Sequence, residues 1–185
     1  MGELVLVLGG VRSGKSAFAE RLAAAHGGPV LYVATGQAGD AEMAARIAAH
    51  RARRPATWAT IEAPLDPVAA IAGAARAGQV VLLDCVGMLV SNVLLAEGEA
   101  GSAASRLDHA LGGLLGLVRE RHLHVIAVSG ESGLGLLPLA PLGRRYLDLL
   151  GDANQRLAAA AGRTYLVIAG LGVDVRRLAW EPEGP

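Results

Sequence analysis

Lysine is nearly absent from this sequence. Of the seventeen basic residues in its 185 positions, sixteen are arginine and one is Lys15. That scarcity excludes an Asn-Lys-x-Asp motif for selecting guanine, because the one lysine stands elsewhere. A Leu-Ser-Gly-Gly-Gln transporter signature is missing too. Cysteine occurs once, at Cys85, so no internal disulfide can form and a reducing compartment suits the chain. Aromatic residues make up only 3%, with a single Phe. Net charge is also lacking: seventeen acids balance seventeen bases, which argues against a nonspecific nucleic-acid partner. The longest apolar stretch, Val80 to Ala96, is broken by Asp84, Ser91 and Asn92, so no membrane-spanning helix is expected. The opening residues, MGELVLVLGG, place Glu3 where a signal peptide needs positive charge and Leu6 where a myristoylation pattern needs Ser or Thr. Together these absences predict a cytoplasmic protein.

Apolar volume is what the chain has in excess. Hydrophobic residues reach 52%, too many for a disordered polymer. The length suits one domain, expected over residues 1–180 with a short tail at 181–185. Near-continuous apolar runs at Leu4–Leu8, Val30–Thr35, Val80–Leu83, Leu123–Ser129 and Thr164–Ala169 read as strands buried on both faces. Thr57–Ile61 adds a short strand and Val173–Leu178 a final one. Between them, Lys15–His26, Ala41–Arg53, Pro67–Ala77, Ala103–Arg121 and Gly143–Ala161 have helical spacing. This alternation predicts an α/β domain, a mainly parallel sheet with helices on both faces. The least structured stretches are expected at Glu97–Ser102, Gly130–Pro141 and the tail.

The first strand runs directly into Gly9, Gly10, Val11, Arg12, Ser13, Gly14, Lys15 and Ser16, a match to G-x-x-x-x-G-K-[ST]. Its glycines let backbone N–H groups turn inward around phosphate oxygens, and the following helix aims its positive end at them. Lys15 reaches the outer phosphates, and the Ser16 hydroxyl is a candidate Mg²⁺ ligand. The companion carboxylate is Asp84, at the end of the strand Val80–Leu83. Alone it reads equally well as the N-cap of a helix over Cys85–Ala96. Beside a phosphate loop the metal role is favoured. The class indicated is a small-molecule kinase or nucleotidyltransferase.

Residues 41–55, AEMAARIAAHRARRP, place Glu42, Arg46, His50 and Arg54 at successive i, i+4 positions on one helical face. Met43 and Ile47 form a neighbouring stripe expected to pack on the sheet, and Pro55 stops the helix. Such a pattern reads as an ordinary solvated face or as a reactive centre. In the second reading His50 is a nucleophile toward an α-phosphorus, kept neutral by neighbouring arginines that also offset charge on the departing pyrophosphate. His109, His122 and His124 lack metal-ligand spacing and read as surface or edge residues. Trp58 is expected to pack on the sheet, and Cys85 to be a small buried side chain.

Several of these segments closely resemble the bifunctional adenosylcobinamide kinase/adenosylcobinamide-phosphate guanylyltransferase family of cobalamin biosynthesis. In order they are LVLGGVRSGKSAFAE, VLYVATGQAGDAEMAARIAAHRARRPATWATIEAP, VVLLDCVGMLVSNVLL, GLGLLPLAPLGRRYLDLLGDANQRLAAAA and TYLVIAGLGV, spanning about Leu4 to Val173. The resemblance implies a RecA-like P-loop fold and a homo-oligomer, a trimer. It implies two reactions: ATP or GTP phosphorylates the adenosylcobinamide hydroxyl, and GTP then guanylylates a histidine that passes GMP to the cobinamide phosphate. On the matching motif that histidine is His50. Nucleotide contacts carry over to Gly9–Ser16, to Ala34, Thr35 and Gly36, to Arg51, Ala52, Arg53 and Arg54, and to Glu62 and Asp84. Asn154 and Gln155 match an Asn-Gln pair.

Departures from the family pattern fall elsewhere. Gly130-Glu131-Ser132-Gly133 stands where Asn-Glu-Val-Gly is expected, Val86-Gly87-Met88 where Leu or Ile precedes Thr, and Arg145-Tyr146-Leu147-Asp148 where R-Y-R-D is expected. They bear on the corrinoid side, with Gly130–Pro141 as a rim of that site. Two other readings stay open from sequence: a P-loop small-molecule kinase without guanylyl transfer, and a nucleotide-binding regulatory protein.

Overall fold

The computed structural model describes residues 2–97 and 102–180. The chain alternates β1 (Glu3–Gly9), α1 (Lys15–Ala25), β2 (Val30–Ala34), α2 (Ala41–Arg53), β3 (Ala59–Glu62), α3 (Pro67–Ala74), β4 (Val80–Asp84) and α4 (Val86–Glu97). It continues with α5 (Ala103–Glu120), β5 (His124–Gly130), α6 (Pro141–Ala160), β6 (Arg163–Ile168) and β7 (Leu171–Asp174). The strands form one sheet in the order β3-β2-β4-β5-β1-β6-β7. Strands β1 to β6 pair in parallel and β7 pairs antiparallel to β6. The expected α/β class and mainly parallel sheet are therefore observed.

Period-two alternation divides the core between the two faces. Leu4, Leu6, Leu31, Val33, Val81, Leu83, Val125 and Ala127 point to one side, where α3, α4, α5 and α6 cover them. Val5, Val7, Val30, Tyr32, Val80, Leu82, Ile126 and Val128 point to the other, against Ala19 and Ala23 of α1. Trp58 packs at the margin of this second cluster, as expected. Alanines on α1 let it lie close to the strands and set the start of that helix directly over the end of β1.

Two departures from expectation have clear causes. The last strand is Leu171–Asp174 rather than Val173–Leu178, because Ala169 (φ 51°) and Gly170 (φ 82°) close a two-residue hairpin. Hairpin turns of this kind need positive φ at both positions, and alanine gives little sign of that in a sequence. Helix α3 ends at Ala74 rather than Ala77, its cap residue Ala75 being extended. The tail 181–185 and residues 98–101 of the irregular stretch expected at 97–102 lie outside the described residues.

Asn92 shows how the long apolar run tolerates a polar residue. Its buried Nδ2 donates to Thr35 O (2.7 Å) and Pro64 O (3.0 Å), tying α4 to the ends of β2 and β3. Asn92→Ala removes the donor and leaves both carbonyls without it. A loss of about 2–3 kcal/mol in urea unfolding is expected. A loss below about 0.5 kcal/mol would show that Asn92 contributes no more than a surface residue.

Candidate functional site

In parallel sheets ligands bind beyond the carboxyl ends of the strands. Here those ends are level: Ala34 is in register with Glu62 and with Asp84, and Gly9 with Gly130. The phosphate loop leaves β1 at Gly9 and enters α1 at Lys15. Arg12 (φ 57°) and Gly14 (φ 88°) adopt left-handed backbone, which folds the loop back over the helix start. The Gly14 Cα region lies against Gly170 of the β6–β7 turn, and Gly170 N–H donates to Ser13 O at 2.8 Å. Lys15 Nζ donates to Gly10 O at 3.1 Å, so the ammonium lies along the loop it follows.

A cavity of about 600 Å³ opens beside this loop. It collects Lys15, Ser16, Ala34, Gly36, His50, Arg51, Arg54, Glu62 and Asp84 among the residues expected from sequence. Gly9 to Gly14 form the adjoining loop. Three expected residues stand differently. Thr35 is fully buried, its hydroxyl donating to Cys85 O (2.7 Å) and accepting from Cys85 N–H (2.7 Å). Ala52 does not line the cavity, and neither does Arg53, which pairs with Glu20 of α1 at 3.2 Å.

Asp84 is the centre of the arrangement. Tyr32 donates its hydroxyl to Asp84 Oδ2 at 2.6 Å, and His50 Nδ1 stands 3.7 Å from the same oxygen. Burial works to raise the Asp84 carboxyl, but the His50 imidazole and the Tyr32 and Ser16 hydroxyls outweigh it and hold the group below the usual carboxylate range. The Tyr32 hydroxyl is pushed far up, by burial first and then by the Asp84 charge, so it stays a donor. In the sequence Tyr32 reads as one more strand residue. Its placement two residues before the end of β2, next to the β4 carboxylate strand, is the signal that marks it.

Helix α2 carries the histidine over the cavity. Asp40 caps it by accepting Met43 N–H at 2.7 Å, and Arg54 ends it with extended backbone. None of its residues is buried, so Met43 and Ile47 do not pack into the sheet core as expected; they line the cavity instead. The helix is held by polar contacts. Arg51 pairs with Glu62, Arg53 with Glu20, and the Arg54 guanidinium lies 3.3 Å from the Tyr32 ring centroid. Two donors here are buried without a protein partner, Ser13 Oγ and Arg54 Nε. Buried donors are normally paired, so these fit an anionic ligand.

This constellation joins a phosphate loop, a carboxylate and a histidine around one cavity. Residues 5–175 match the family described as cobinamide kinase / cobinamide phosphate guanyltransferase. The chain belongs to that family. It is 46% identical over 171 residues to the bifunctional adenosylcobalamin biosynthesis protein CobP of Pseudomonas aeruginosa, covering 92% of this chain and 96% of that one. It is 36% identical over 181 residues to the protein CobU of Escherichia coli K12, also named bifunctional, covering 94% and 99%. A crystal structure of the RadB recombinase superposes with a TM-score of 0.54 at 18% identity, over 89% of this chain and 74% of that one. That likeness establishes the RecA-like P-loop fold. A kinase and guanyltransferase of this family performs two phosphorus-centred transfers.

Cys85 follows Asp84 on the cavity wall. Its thiol is pushed up to about 11, by burial first and then by the Asp84 charge. Alkylation by iodoacetamide in the folded protein at pH 8 is expected to be at least tenfold slower than after unfolding, since only the thiolate reacts. Equal rates would contradict this environment. No helix among the described residues is long and apolar enough to cross a membrane.

Proposed function

We propose that this protein phosphorylates adenosylcobinamide with ATP or GTP, then transfers GMP from GTP through guanylylated His50 to adenosylcobinamide phosphate. The observation that carries the reading is the shared cavity: Lys15 and Ser16 of the phosphate loop line it together with His50. Loop amides and Lys15 bind the triphosphate. Nδ1 of His50 faces Asp84, which leaves Nε2 as the nucleophilic nitrogen. Nε2 bonds to the α-phosphorus, the bond to the bridging oxygen breaks, and pyrophosphate leaves. Arg46 and Arg54, on the same cavity, offset the charge that develops.

Ser16 and the ionised, buried Asp84 are hard oxygen donors that fit Mg²⁺, whose chemistry is charge neutralisation on the phosphates. Glu62, now paired with Arg51, is suited to accept from guanine N1–H and its exocyclic amine. Arg51 then becomes free to meet phosphate. A homo-oligomer, a trimer, belongs to the same reading. The exposed Ile168, Leu171 and Val173 on the β6–β7 edge provide an apolar contact surface for it. A cytoplasmic setting suits the lone thiol.

The test is product formation. Protein, Mg²⁺, ATP, α-labelled GTP and adenosylcobinamide should yield labelled adenosylcobinamide-GDP. Phosphorylated cobinamide that never acquires label would leave a plain kinase, and no phosphorylation at all would reject both steps.

A further inference from the structure

A second cavity, of about 320 Å³, adjoins the phosphate loop at different strands. The nucleotide cavity sits at the ends of β2 and β4. This one sits at the ends of β1 and β5, walled by Leu8, Glu131, Ser132 and Gly133 and by Leu147, Leu150, Asn154 and Gln155 of α6. It is tied to the loop directly, because Glu131 N–H donates to Gly9 O at 3.0 Å. Beneath it, buried Asn154 accepts from Ser129 Oγ (2.6 Å) and donates to Gly130 O (2.9 Å), fixing the backbone from which Glu131 projects. The Glu131 carboxylate is held in turn by the Gly133 N–H, 2.8 Å from Oε1.

We propose that this cavity admits the acceptor alcohol and that Glu131 is the general base of the phosphoryl-transfer step. The proposal rests on the kinase activity argued above and names the residue that serves it. A hydroxyl attacking phosphorus needs a carboxylate with an oxygen left to accept its proton and no cation beside it to depress its basicity. The Gly133 N–H bonds only Oε1 of Glu131. The other carboxylates at these strand ends are engaged: Asp84 by Tyr32, with His50 close by, and Glu62 by Arg51. Among the described residues no basic side chain pairs with Glu131. From Gly133, on the cavity wall, the chain runs into Leu134, Leu136, Leu137 and Leu139, each at least 76% exposed, an apolar segment of the kind a large macrocycle would cover. In the step, the acceptor O–H proton passes to the Glu131 carboxylate while its oxygen bonds to the γ-phosphorus. The bond from that phosphorus to the β,γ-bridging oxygen breaks, and its electrons leave with the nucleoside diphosphate. The proton then passes to water.

Glu131→Gln keeps the shape and removes the base. Turnover for ATP-dependent phosphorylation of adenosylcobinamide should fall about 100- to 10,000-fold, with KM for ATP unchanged within about threefold. Guanylylation of His50 from α-labelled GTP, measured on the same preparation, should stay within about twofold of wild type. In Glu131→Ala, added formate should restore part of the phosphorylation rate. Wild-type phosphorylation by Glu131→Gln would overturn the proposal, as would an equal loss of both activities or no effect of formate. If wild-type protein itself fails to phosphorylate adenosylcobinamide, the kinase reading fails and the proposal falls with it, a result distinct from an active Glu131→Gln.

Discussion

His50→Ala is expected to abolish guanylyl transfer, by about a thousandfold or more, while phosphorylation of adenosylcobinamide continues within about threefold of wild type. The separation follows from where the imidazole sits. It hangs from α2 over the cavity, with Nδ1 facing Asp84 Oδ2 at 3.7 Å, and none of the residues of that helix is buried. Truncating it removes the nucleophile without opening the core, so thermal unfolding should be nearly unchanged. The γ-phosphoryl group needs no histidine, because its acceptor attacks it directly. His50→Asn is the useful companion variant, since it preserves polarity at the position and still cannot form a phosphoramidate. Parallel loss of both activities in these variants would mean that His50 binds nucleotide rather than carrying it.

Lys15→Ala should cost both activities together. Its ammonium lies against Gly10 O, at the start of α1, where the proposed function has both reactions hold a triphosphate. Removing one preorganised charge from such a site costs roughly 100- to 1,000-fold in turnover. Lys15→Arg is expected to recover little of this. Guanidinium is planar and forked, a different donor geometry from the compact ammonium that meets Gly10 O. The check is parallel assay of phosphorylation with γ-labelled ATP and of guanylylation with α-labelled GTP. Loss of one activity alone would imply two separate triphosphate sites, contrary to the single-loop account.

Much of this was legible in the sequence because the relevant signals are local. A phosphate loop is eight consecutive residues, and buried parallel strands are uninterrupted apolar runs. Asp84 needed only the end of such a run. What escaped depended on pairing across the sheet or on backbone sign. Tyr32 looks like an ordinary core residue until β2 lies beside β4 and its hydroxyl meets Asp84. Thr35 is one more small residue at a strand end until its hydroxyl is seen clasping the Cys85 backbone. The hairpin at Ala169-Gly170 depends on an alanine with positive φ. Helix α2 misled in a different way. Its Met43 and Ile47 stripe has the spacing of a core-facing helix, but the side chains face a cavity, so periodicity reported amphipathicity correctly and its partner wrongly.

Arginine clustering also changes meaning in three dimensions. Arg51 and Arg53 flank His50 in sequence, yet Glu62 and Glu20 neutralise them. Arg54, just past α2, stacks on Tyr32, leaving it and Arg46 of α2 as the arginines of this segment turned to the cavity with no carboxylate partner among the described residues. The positive field at the histidine is therefore set by fewer residues than the motif suggests.

Whether His50 carries the nucleotide covalently is decided by peptide mapping after incubation with Mg²⁺ and GTP labelled at the α-phosphorus. One labelled peptide is expected, containing His50, stable in base and lost in acid, with no label from γ-labelled GTP. Absence of label, or label on a peptide without His50, would rule out a guanylylated His50.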